Sequence, residues 1–288
     1  MSANYIISCD TTADLPESYI QEHHILLQSL SYQFGDEIFS GEHQLDPKVF
    51  YARMRNGEMP KTSAAVPEEI RTSFEPFLKQ GFDILHIAFS SALSSSCQNA
   101  CLAARELSEE YPDRNIIVID SLSASLGEGL LVHYAVMKKE SGSSIDEVAD
   151  WLEQNKLHLC HQFTVNDLFH LHRGGRVSKA TAILGTLANI KPVLHVDNEG
   201  RLVSLCNVRS RKKSLLKLVE NMGEQISGYQ NDIVFISHGD NEADANFVAD
   251  EIRKRFGINN FLIHYVSPTI GSHSGPDTIA LFFLGENR

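Results

Sequence analysis

The sequence predicts an α/β fold in two parts, with a mostly parallel sheet in the N-terminal part and a mixed sheet in the C-terminal part. In the first half, short apolar runs alternate with helical patterns, and each run ends in small polar residues. A strand, a polar turn and a helix together form the repeating unit of a parallel α/β sheet. In the second half, five strand candidates share only two helices. This change predicts an N-terminal domain over 1–160 and a C-terminal domain over 161–288.

The N-terminal half contains four strand candidates and two extended helical patterns. The strand candidates cover 5–9, 25–34, 83–89 and 115–119, and the helical patterns cover 94–109 and 127–139. Isoleucine, valine and phenylalanine, which favour strands, are frequent in the third and fourth candidates. Apolar residues recur at helical spacing in the two helical patterns.

The C-terminal half predicts a hairpin followed by alternating helices and strands. Its strand candidates are 190–196, 202–208, 233–237, 261–266 and 279–284, and its helices are 211–225 and 242–256. The turn sequence Asp-Asn-Glu-Gly at 197–200 separates the first two strands. Turn residues between two apolar runs are typical of a β-hairpin.

Composition and charge exclude several classes of protein. The chain has 288 residues, with 25 basic against 37 acidic side chains and a net charge of −12, which argues against a nucleic-acid-binding protein. Its five cysteines are scattered and odd in number, as expected in a reducing compartment. No apolar stretch approaches the roughly 20 residues that a membrane span needs, and no signal peptide is visible. We therefore expect a soluble, cytoplasmic protein without stable membrane insertion.

Common cofactor and catalytic motifs are absent. The sequence has no phosphate-binding loop, and the glycines at 127–129 lack the third glycine of a dinucleotide fingerprint. The segment 271–275 is not a nucleophile elbow because its central residue is histidine. His158, Cys160 and His161 have no second ligand pair, so ordinary packing is the better interpretation. We expect neither a cofactor nor a metal.

Polar clusters follow several predicted strands, at the sheet edge where open α/β sheets bind ligands. They cover 10–16, 61–63, 90–96, 120–129 and 271–275. Each could simply cap a helix or form a turn. However, the segment 90–96 has five serines, more than one helix start uses, which suggests an anion site at a helix N-terminus. The segment 271–275 reads Gly-Ser-His-Ser-Gly and suggests a site for something small and polar.

Two basic clusters stand out in this acidic chain, at 170–176 and 209–213. Each could be an exposed loop or helix start. The first could also bind an acidic partner or a phosphate. The second occupies the first turn of a predicted helix, where cations are electrostatically unfavourable, and this mismatch slightly favours a functional role.

Taken in order, these clusters resemble the DegV family of fatty-acid-binding proteins. The matching segments are 10–16, 61–67, 90–100, 120–129, 173–178, 190–194, 209–213 and 271–276, which span almost the whole chain. The resemblance implies a two-domain DegV-type (EDD) fold that holds a fatty acid such as palmitate, stearate or oleate between the domains. Some members are acyl-carrying subunits of a bacterial fatty acid kinase and present the carboxylate to a separate ATP-binding protein.

The resemblance also implies roles for individual residues. Thr62 and Ser94 match a threonine and a serine that contact the carboxylate, and His273 matches the histidine of the C-terminal motif. The predicted ligand-binding set is Thr62, Ser63, Ser94, Ser95, Arg209, Ser272 and His273. Arg173 and Arg176 lie in the Gly-Gly-Arg turn segment, which is implicated in partner contact.

Three functions remain open at the level of sequence. The favoured one is a non-catalytic fatty-acid-binding protein that serves as a kinase subunit. The second is a stand-alone acyl hydrolase or transferase with Ser94 as nucleophile and His273 as base, although no orienting acid is evident. The third is a binder of another amphipathic lipid, such as a retinoid or a sterol-like molecule.

Overall fold

The computed structural model describes residues 4–166, 168–178 and 189–288 and confirms the predicted fold class. The strands are β1 Tyr5–Asp10, β2 Leu26–Gln28, β3 Ser31–Phe34, β4 Glu37–Phe39, β5 Lys61–Ser63, β6 Asp83–Ala88, β7 Ile116–Asp120, β8 Leu159–Thr164, β9 Ile190–Val196, β10 Leu202–Arg209, β11 Val234–His238, β12 Phe261–Tyr265 and β13 Ile279–Leu284. The α-helices are α1 Glu17–Glu22, α2 Pro47–Arg55, α3 Pro67–Lys79, α4 Ser96–Glu110, α5 Leu126–Glu140, α6 Ile145–Asn155, α7 Phe169–Arg173, α8 Arg211–Gln225, α9 Glu242–Phe256 and α10 Pro268–Ser274. Short 3₁₀ turns cover Thr11–Ala13 and Lys156–His158.

The N-terminal sheet has the strand order β2-β1-β6-β7, and every pairing in it is parallel. Helices α3 and α4 cover one face, while α5 and α6 cover the other. Parallel strands are buried on both faces in such an arrangement, which explains their near-continuous apolar sequences. Polar loops at the carboxyl ends of β1, β6 and β7 therefore meet at one edge of the sheet.

The C-terminal sheet is mixed, with the order β10-β9-β8-β13-β11-β12. Only β11 and β12 pair in parallel, and the predicted hairpin is confirmed as the antiparallel pair β9 and β10. At its turn, the Asp197 carboxylate accepts hydrogen bonds from the N–H groups of Glu199 and Arg201 at 3.0 and 2.9 Å. Helices α8 and α9 cover the outer face of this sheet.

Helix α5 lies between the two large sheets. It contacts β1 and β6 on one side and β8, β11 and β13 on the other. One apolar core accordingly contains side chains from both halves of the chain, including Ile7, Leu85, Leu130, Leu194 and Phe235. The predicted domain boundary falls inside β8, after Cys160, and the two halves pack together through this shared core.

A third, small antiparallel sheet has the order β4-β3-β5 and packs on α2 through Tyr32 and Phe50. The prediction of one strand over 25–34 is wrong, because the chain leaves the parallel sheet after β2 and enters the small sheet as β3. The N–H of Leu30 donates to the Thr11 hydroxyl (3.1 Å), and the Ser29 hydroxyl accepts from Gly41 (2.8 Å). These hydrogen bonds satisfy polar groups at the break between β2 and β3.

No helix among the residues that the structure describes has both the length and the apolar character needed to cross a bilayer.

Candidate functional site

A cavity of about 210 Å³ lies among the loops of the N-terminal sheet, α10 and the inner face of the C-terminal sheet. Most of its wall is apolar. The apolar lining consists of Leu30, Ala64, Phe89, Leu93, Ala124, Phe163, Leu171, Val196, Leu202, Val266, Ile270, Ala280 and Phe282. One group of polar side chains in the lining comes from β5, the loop before α4, the turn after α7 and α10. It consists of Thr62, Ser63, Ser94, Ser95, Arg176 and His273.

The Thr62 hydroxyl and the Nε2 atom of His273 are 2.8 Å apart, within hydrogen-bond distance. Thr62 belongs to the edge strand β5, and His273 belongs to α10. The segment 271–275 was predicted as a glycine-bracketed polar cluster at the end of a strand, and most of it is helical, since α10 starts with Pro268 and ends at Ser274. Gly271 lets this helix approach α2, because a Cβ there would fall 2.5 Å from the hydroxyl oxygen of Tyr51.

The imidazole of His273 is held in its neutral form. Burial lowers its pKa to about 4, and the nearby positive charges of Arg176 and Arg173 act in the same direction. Its Nδ1 atom is buried and has no hydrogen-bond partner among the described residues. A neutral imidazole has one donor nitrogen and one acceptor nitrogen. One hydrogen is used between Thr62 and Nε2. If the Nε2–H group donates to Thr62, the Thr62 hydroxyl is free to donate to a ligand oxygen beside it.

The serine-rich segment 90–96, here called the serine loop, places Ser94 two residues before the start of α4. The hydroxyl oxygens of Ser94 and Ser96 are 2.9 Å apart, and Ser96 also accepts from the N–H of Ala65 at 3.2 Å. Helix α4 begins at Ser96, two residues later than predicted, so both Ser94 and Ser95 belong to the loop that lines the cavity. The N-terminus of a helix of this length favours negative charge, as expected for a carboxylate site.

Arg176 lines the cavity, although it was predicted as a partner-binding residue. Its Nε and Nη2 atoms donate to the carbonyl of Leu93 at 3.1 and 2.9 Å, and its Nη1 atom donates to the carbonyl of Gly174. Burial lowers the pKa of its guanidinium group. The side chain therefore ties the serine loop to the turn after α7 and brings positive charge to the cavity.

Arg173 makes a similar set of contacts outside the cavity lining. It donates to the carbonyls of Pro60 and Ser272 at 3.0 and 2.9 Å. These bonds join the residue before β5 to α10, the two elements that carry Thr62 and His273.

Two residues of the predicted ligand-binding set lie outside the cavity lining. Arg209 is exposed at the end of the edge strand β10. Ser272 is buried, but its hydroxyl donates to the carbonyl of Pro268 at 2.7 Å within α10. The helical spacing of α10 directs His273 and Ser274 to the cavity and Ser272 away from it.

The structure reveals a second polar group at the cavity, and the sequence alone assigned no role to its residues. The Ser125 hydroxyl donates to the Asp14 carboxyl at 2.5 Å and lies 2.9 Å from the Ser237 hydroxyl, and both serines line the cavity. Burial raises the pKa of Asp14 to about 7, although the hydrogen bond from Ser125 opposes the shift. Asp14 and Ser125 belong to predicted polar clusters, whereas Ser237 gave no signal.

Buried carboxyl groups also order the loops at this edge of the sheet. Asp10 accepts from the N–H of Phe89 at 2.8 Å, and Glu128 accepts from the N–H of Asp10 and the hydroxyl of Thr12 at 3.2 and 2.9 Å. Burial raises the pKa of Asp10 to about 7 and that of Glu128 above its usual range. These bonds fix the ends of β1 and β6 against α5.

The geometry does not assemble a serine hydrolase site from Ser94 and His273. The Ser94 hydroxyl bonds to Ser96, while the Nε2 atom of His273 bonds to Thr62. No carboxylate among the described residues bonds to the Nδ1 atom of His273, so nothing there orients the ring as a base. The part of the chain that the structure describes also holds no cluster of three or more potential metal ligands.

Comparisons with known proteins agree on one family. A family model described as an uncharacterised protein of the DegV family matches residues 5–286. A DegV domain-containing protein of Clostridium perfringens is 41% identical over 289 residues, which cover 99% of this chain and 98% of that protein.

Two solved structures are similar over nearly the whole chain. One is described as DegV, a fatty acid binding protein from Bacillus subtilis; it is 29% identical with a TM-score of 0.85 and covers 99% of this chain and 100% of that one. Another is described as a fat acid (stearic acid)-binding protein from Eubacterium ventriosum. It is 25% identical with a TM-score of 0.89 and covers 98% of each chain.

Proposed function

This chain belongs to the DegV family, and from that premise we propose that it binds a long-chain fatty acid in the cavity between its two halves. The carboxylate lies at Thr62, Ser94 and His273, and the acyl chain follows the apolar wall. The observation that carries this proposal is the Thr62–His273 hydrogen bond of 2.8 Å in the lining of a mostly apolar cavity.

The polar group suits a carboxylate because it offers several hydrogen-bond donors. Removing a carboxylate from water without partners is very costly, and hydrogen bonds to a charged group are the strong ones. The hydroxyls of Thr62 and Ser94 supply such bonds, the imidazole of His273 positions the Thr62 hydroxyl, and the guanidinium group of Arg176 supplies a favourable charge. Ser63 and Ser95 lie in the same part of the lining.

The apolar wall suits an alkyl chain. Phe163, Ala280 and Phe282 face the cavity from β8 and β13, and Leu202 faces it from β10. Each methylene group transferred from water to such a wall contributes about 0.8 kcal/mol. A long acyl chain therefore supplies most of the affinity, while the polar group fixes its orientation. The Bacillus subtilis protein, described as fatty acid binding, and the Eubacterium ventriosum protein, described as stearic-acid-binding, support this ligand class.

A finer proposal, implied by the family resemblance, is that the protein presents the carboxylate to a separate ATP-binding fatty acid kinase. The protein itself then needs no cofactor and performs no catalysis. Arg173 lies beside the polar group and Arg176 belongs to it, and the two remain our proposed contact region for the kinase. Phosphorylation assays with a kinase of this class would test this step, since substitution of Arg173 should slow acyl-phosphate formation more than it weakens fatty acid binding.

Ligand identification tests the main proposal directly. Gently purified protein is analysed by native mass spectrometry, then stripped of lipid and titrated with palmitate, stearate and oleate. We expect a co-purified acyl chain and saturable binding of at least one of the three. Absence of both, in protein that remains folded by circular dichroism, would contradict the proposal and favour another amphipathic lipid.

The hydrolase alternative has its own assay. Purified protein is incubated with acyl esters and acyl-phosphates, and product formation is compared with a Ser94→Ala variant. Because Ser94 bonds to Ser96 and His273 bonds to Thr62, we expect no turnover in either protein. Turnover that Ser94→Ala abolishes would establish the enzyme instead.

A further inference from the structure

His161 is a polar side chain in an apolar region of the cavity wall. It is 2% exposed, and neither ring nitrogen has a hydrogen-bond partner among the described residues. The backbone of Leu159 partly opposes the lowering of the pKa of the ring, but no contact between the two meets hydrogen-bond geometry. A buried polar group without a partner costs free energy. An unpartnered imidazole in the lining of a ligand cavity therefore indicates that the ligand supplies the partner.

The strand register places His161 far from the proposed site of the fatty acid carboxylate. On the inner face of the C-terminal sheet, β13 runs away from α10, beginning next to Thr278, whose hydroxyl donates to the carbonyl of Ser274 at 3.1 Å. His161 is paired with Phe282 on β13. Phe282 lies four residues beyond Thr278 along the strand, which corresponds to a rise of roughly 13 Å. A ligand group that reaches His161 must therefore lie part way along the acyl chain.

The packing of the ring leaves little for a water molecule to bind. A Cβ at Gly127 would fall 2.3 Å from the Nε2 atom of His161, so α5 contacts the ring through a glycine backbone. Phe282 packs against the ring edge to face, with centroids 5.4 Å apart. A buried water usually makes about three hydrogen bonds, and neither neighbour offers it a side-chain partner. A ligand oxygen needs only the imidazole itself.

The protonation state of His161 defines which ligand groups suit it. Burial lowers the pKa of the ring well below its usual range, and the positive charge of Arg288 acts in the same direction. A neutral imidazole has one N–H donor and one acceptor nitrogen. It can therefore donate to a carbonyl oxygen, and it can either donate to or accept from a hydroxyl.

We propose that the cavity accepts an acyl chain that carries a hydroxyl or oxo oxygen part way along its length, and that His161 is the hydrogen-bond partner of that oxygen. This inference deepens the fatty-acid-binding proposal and rests on it. It narrows the ligand class from long-chain fatty acids in general to oxygenated ones.

Two ligands that differ by one hydroxyl test the proposal. Ricinoleate is oleate with a mid-chain hydroxyl, and the ratio of their dissociation constants is measured for the wild-type protein, His161→Leu and the control His195→Leu. His195 lies on β9 outside the cavity lining. We expect the preference for ricinoleate over oleate to fall by about tenfold in His161→Leu, equivalent to about 1.4 kcal/mol, and to stay unchanged in His195→Leu.

The outcomes separate the two proposals. If oleate binds but the ratio is the same in wild type and His161→Leu, the role of His161 is overturned while fatty acid binding stands. If the wild type binds neither of these ligands and neither palmitate nor stearate, both proposals fall. A second measurement needs no variant: wild-type protein is titrated with hydroxystearates whose hydroxyl lies next to the carboxylate, at mid-chain or at the chain end. Affinity should peak for the mid-chain position, and equal affinity at all positions would overturn the inference.

Discussion

Gly174 lies directly against the imidazole of His273, since a Cβ built on Gly174 would fall 2.0 Å from the Nδ1 atom. The residue has φ −74° and ψ −8°, a conformation that any amino acid adopts. Its lack of a side chain therefore makes room for the ring. The turn after α7 fixes one side of His273, and Thr62 fixes the other.

We expect Gly174→Ala to push His273 away from Thr62 and to weaken fatty acid binding by roughly 1–3 kcal/mol, the cost of a lost hydrogen bond to a charged group. Isothermal titration calorimetry with palmitate measures the effect. A double-mutant cycle with His273→Ala is the control, because neighbouring residues that act together are not additive. The effect of Gly174→Ala should vanish in the His273→Ala background, and an undiminished effect would contradict this mechanism.

Thr62→Val removes one hydroxyl and keeps the shape of the side chain. Because Thr62 lies 2.8 Å from His273 and lines the cavity, we expect palmitate binding to weaken by roughly 1–3 kcal/mol. Thr72→Val is the matched control, since Thr72 is exposed on α3. Equal affinities for the two variants would remove Thr62 from the carboxylate site.

Arg176→Met tests whether the positive charge at the cavity belongs to the ligand site. The variant loses the bonds to the Leu93 carbonyl that hold the serine loop. We expect fatty acid affinity to fall at least fivefold, about 1 kcal/mol. Arg209→Met is the control, because Arg209 is exposed and lies outside the cavity lining. Normal lipid binding by the variant with slower phosphorylation by a kinase would indicate that Arg176 acts in partner contact and not in ligand binding.

The sequence predicted the large elements because each has a strong local pattern. Helices α8 and α9 and strands β9 and β13 begin and end at the predicted residues. The patterns depend on apolar periodicity, which reflects burial on one face of an element. The break between β2 and β3 was missed because both pieces are extended, and only their different sheet partners separate them.

The sequence predicted the loops that form the candidate site but not all of the side chains that reach the cavity. The polar clusters predicted which loops meet at the sheet edge, yet side-chain direction depends on secondary structure. The helical form of α10 therefore decides that His273, and not Ser272, reaches the cavity. His161 shows the other limit. In the sequence, the group of His158, Cys160 and His161 favoured ordinary packing because it has no second ligand pair. Only the contact of β8 with the cavity reveals the unpartnered ring of His161.

The stability of the protein should depend on pH through Asp14. Burial raises the pKa of this carboxyl from 3.8 to about 7, so the folded protein keeps a proton that the unfolded chain has released. The stabilisation from this retained proton is complete below about pH 4 and is lost as the pH rises through 7. Over that range the loss approaches about 1.4 kcal/mol per pH unit for one proton.

Asp14→Asn removes this titration with little change in shape, and Asn tolerates the left-handed conformation of this residue, φ 54°. The free energy of unfolding is measured by urea denaturation at intervals from pH 4 to 8 for wild type, Asp14→Asn and the exposed control Glu69→Gln. The wild type and the control should lose stability relative to Asp14→Asn as the pH rises. Parallel curves for all three proteins would show that Asp14 has the same pKa in the folded and unfolded states. Stability depends on pH only through protons that the two states hold differently.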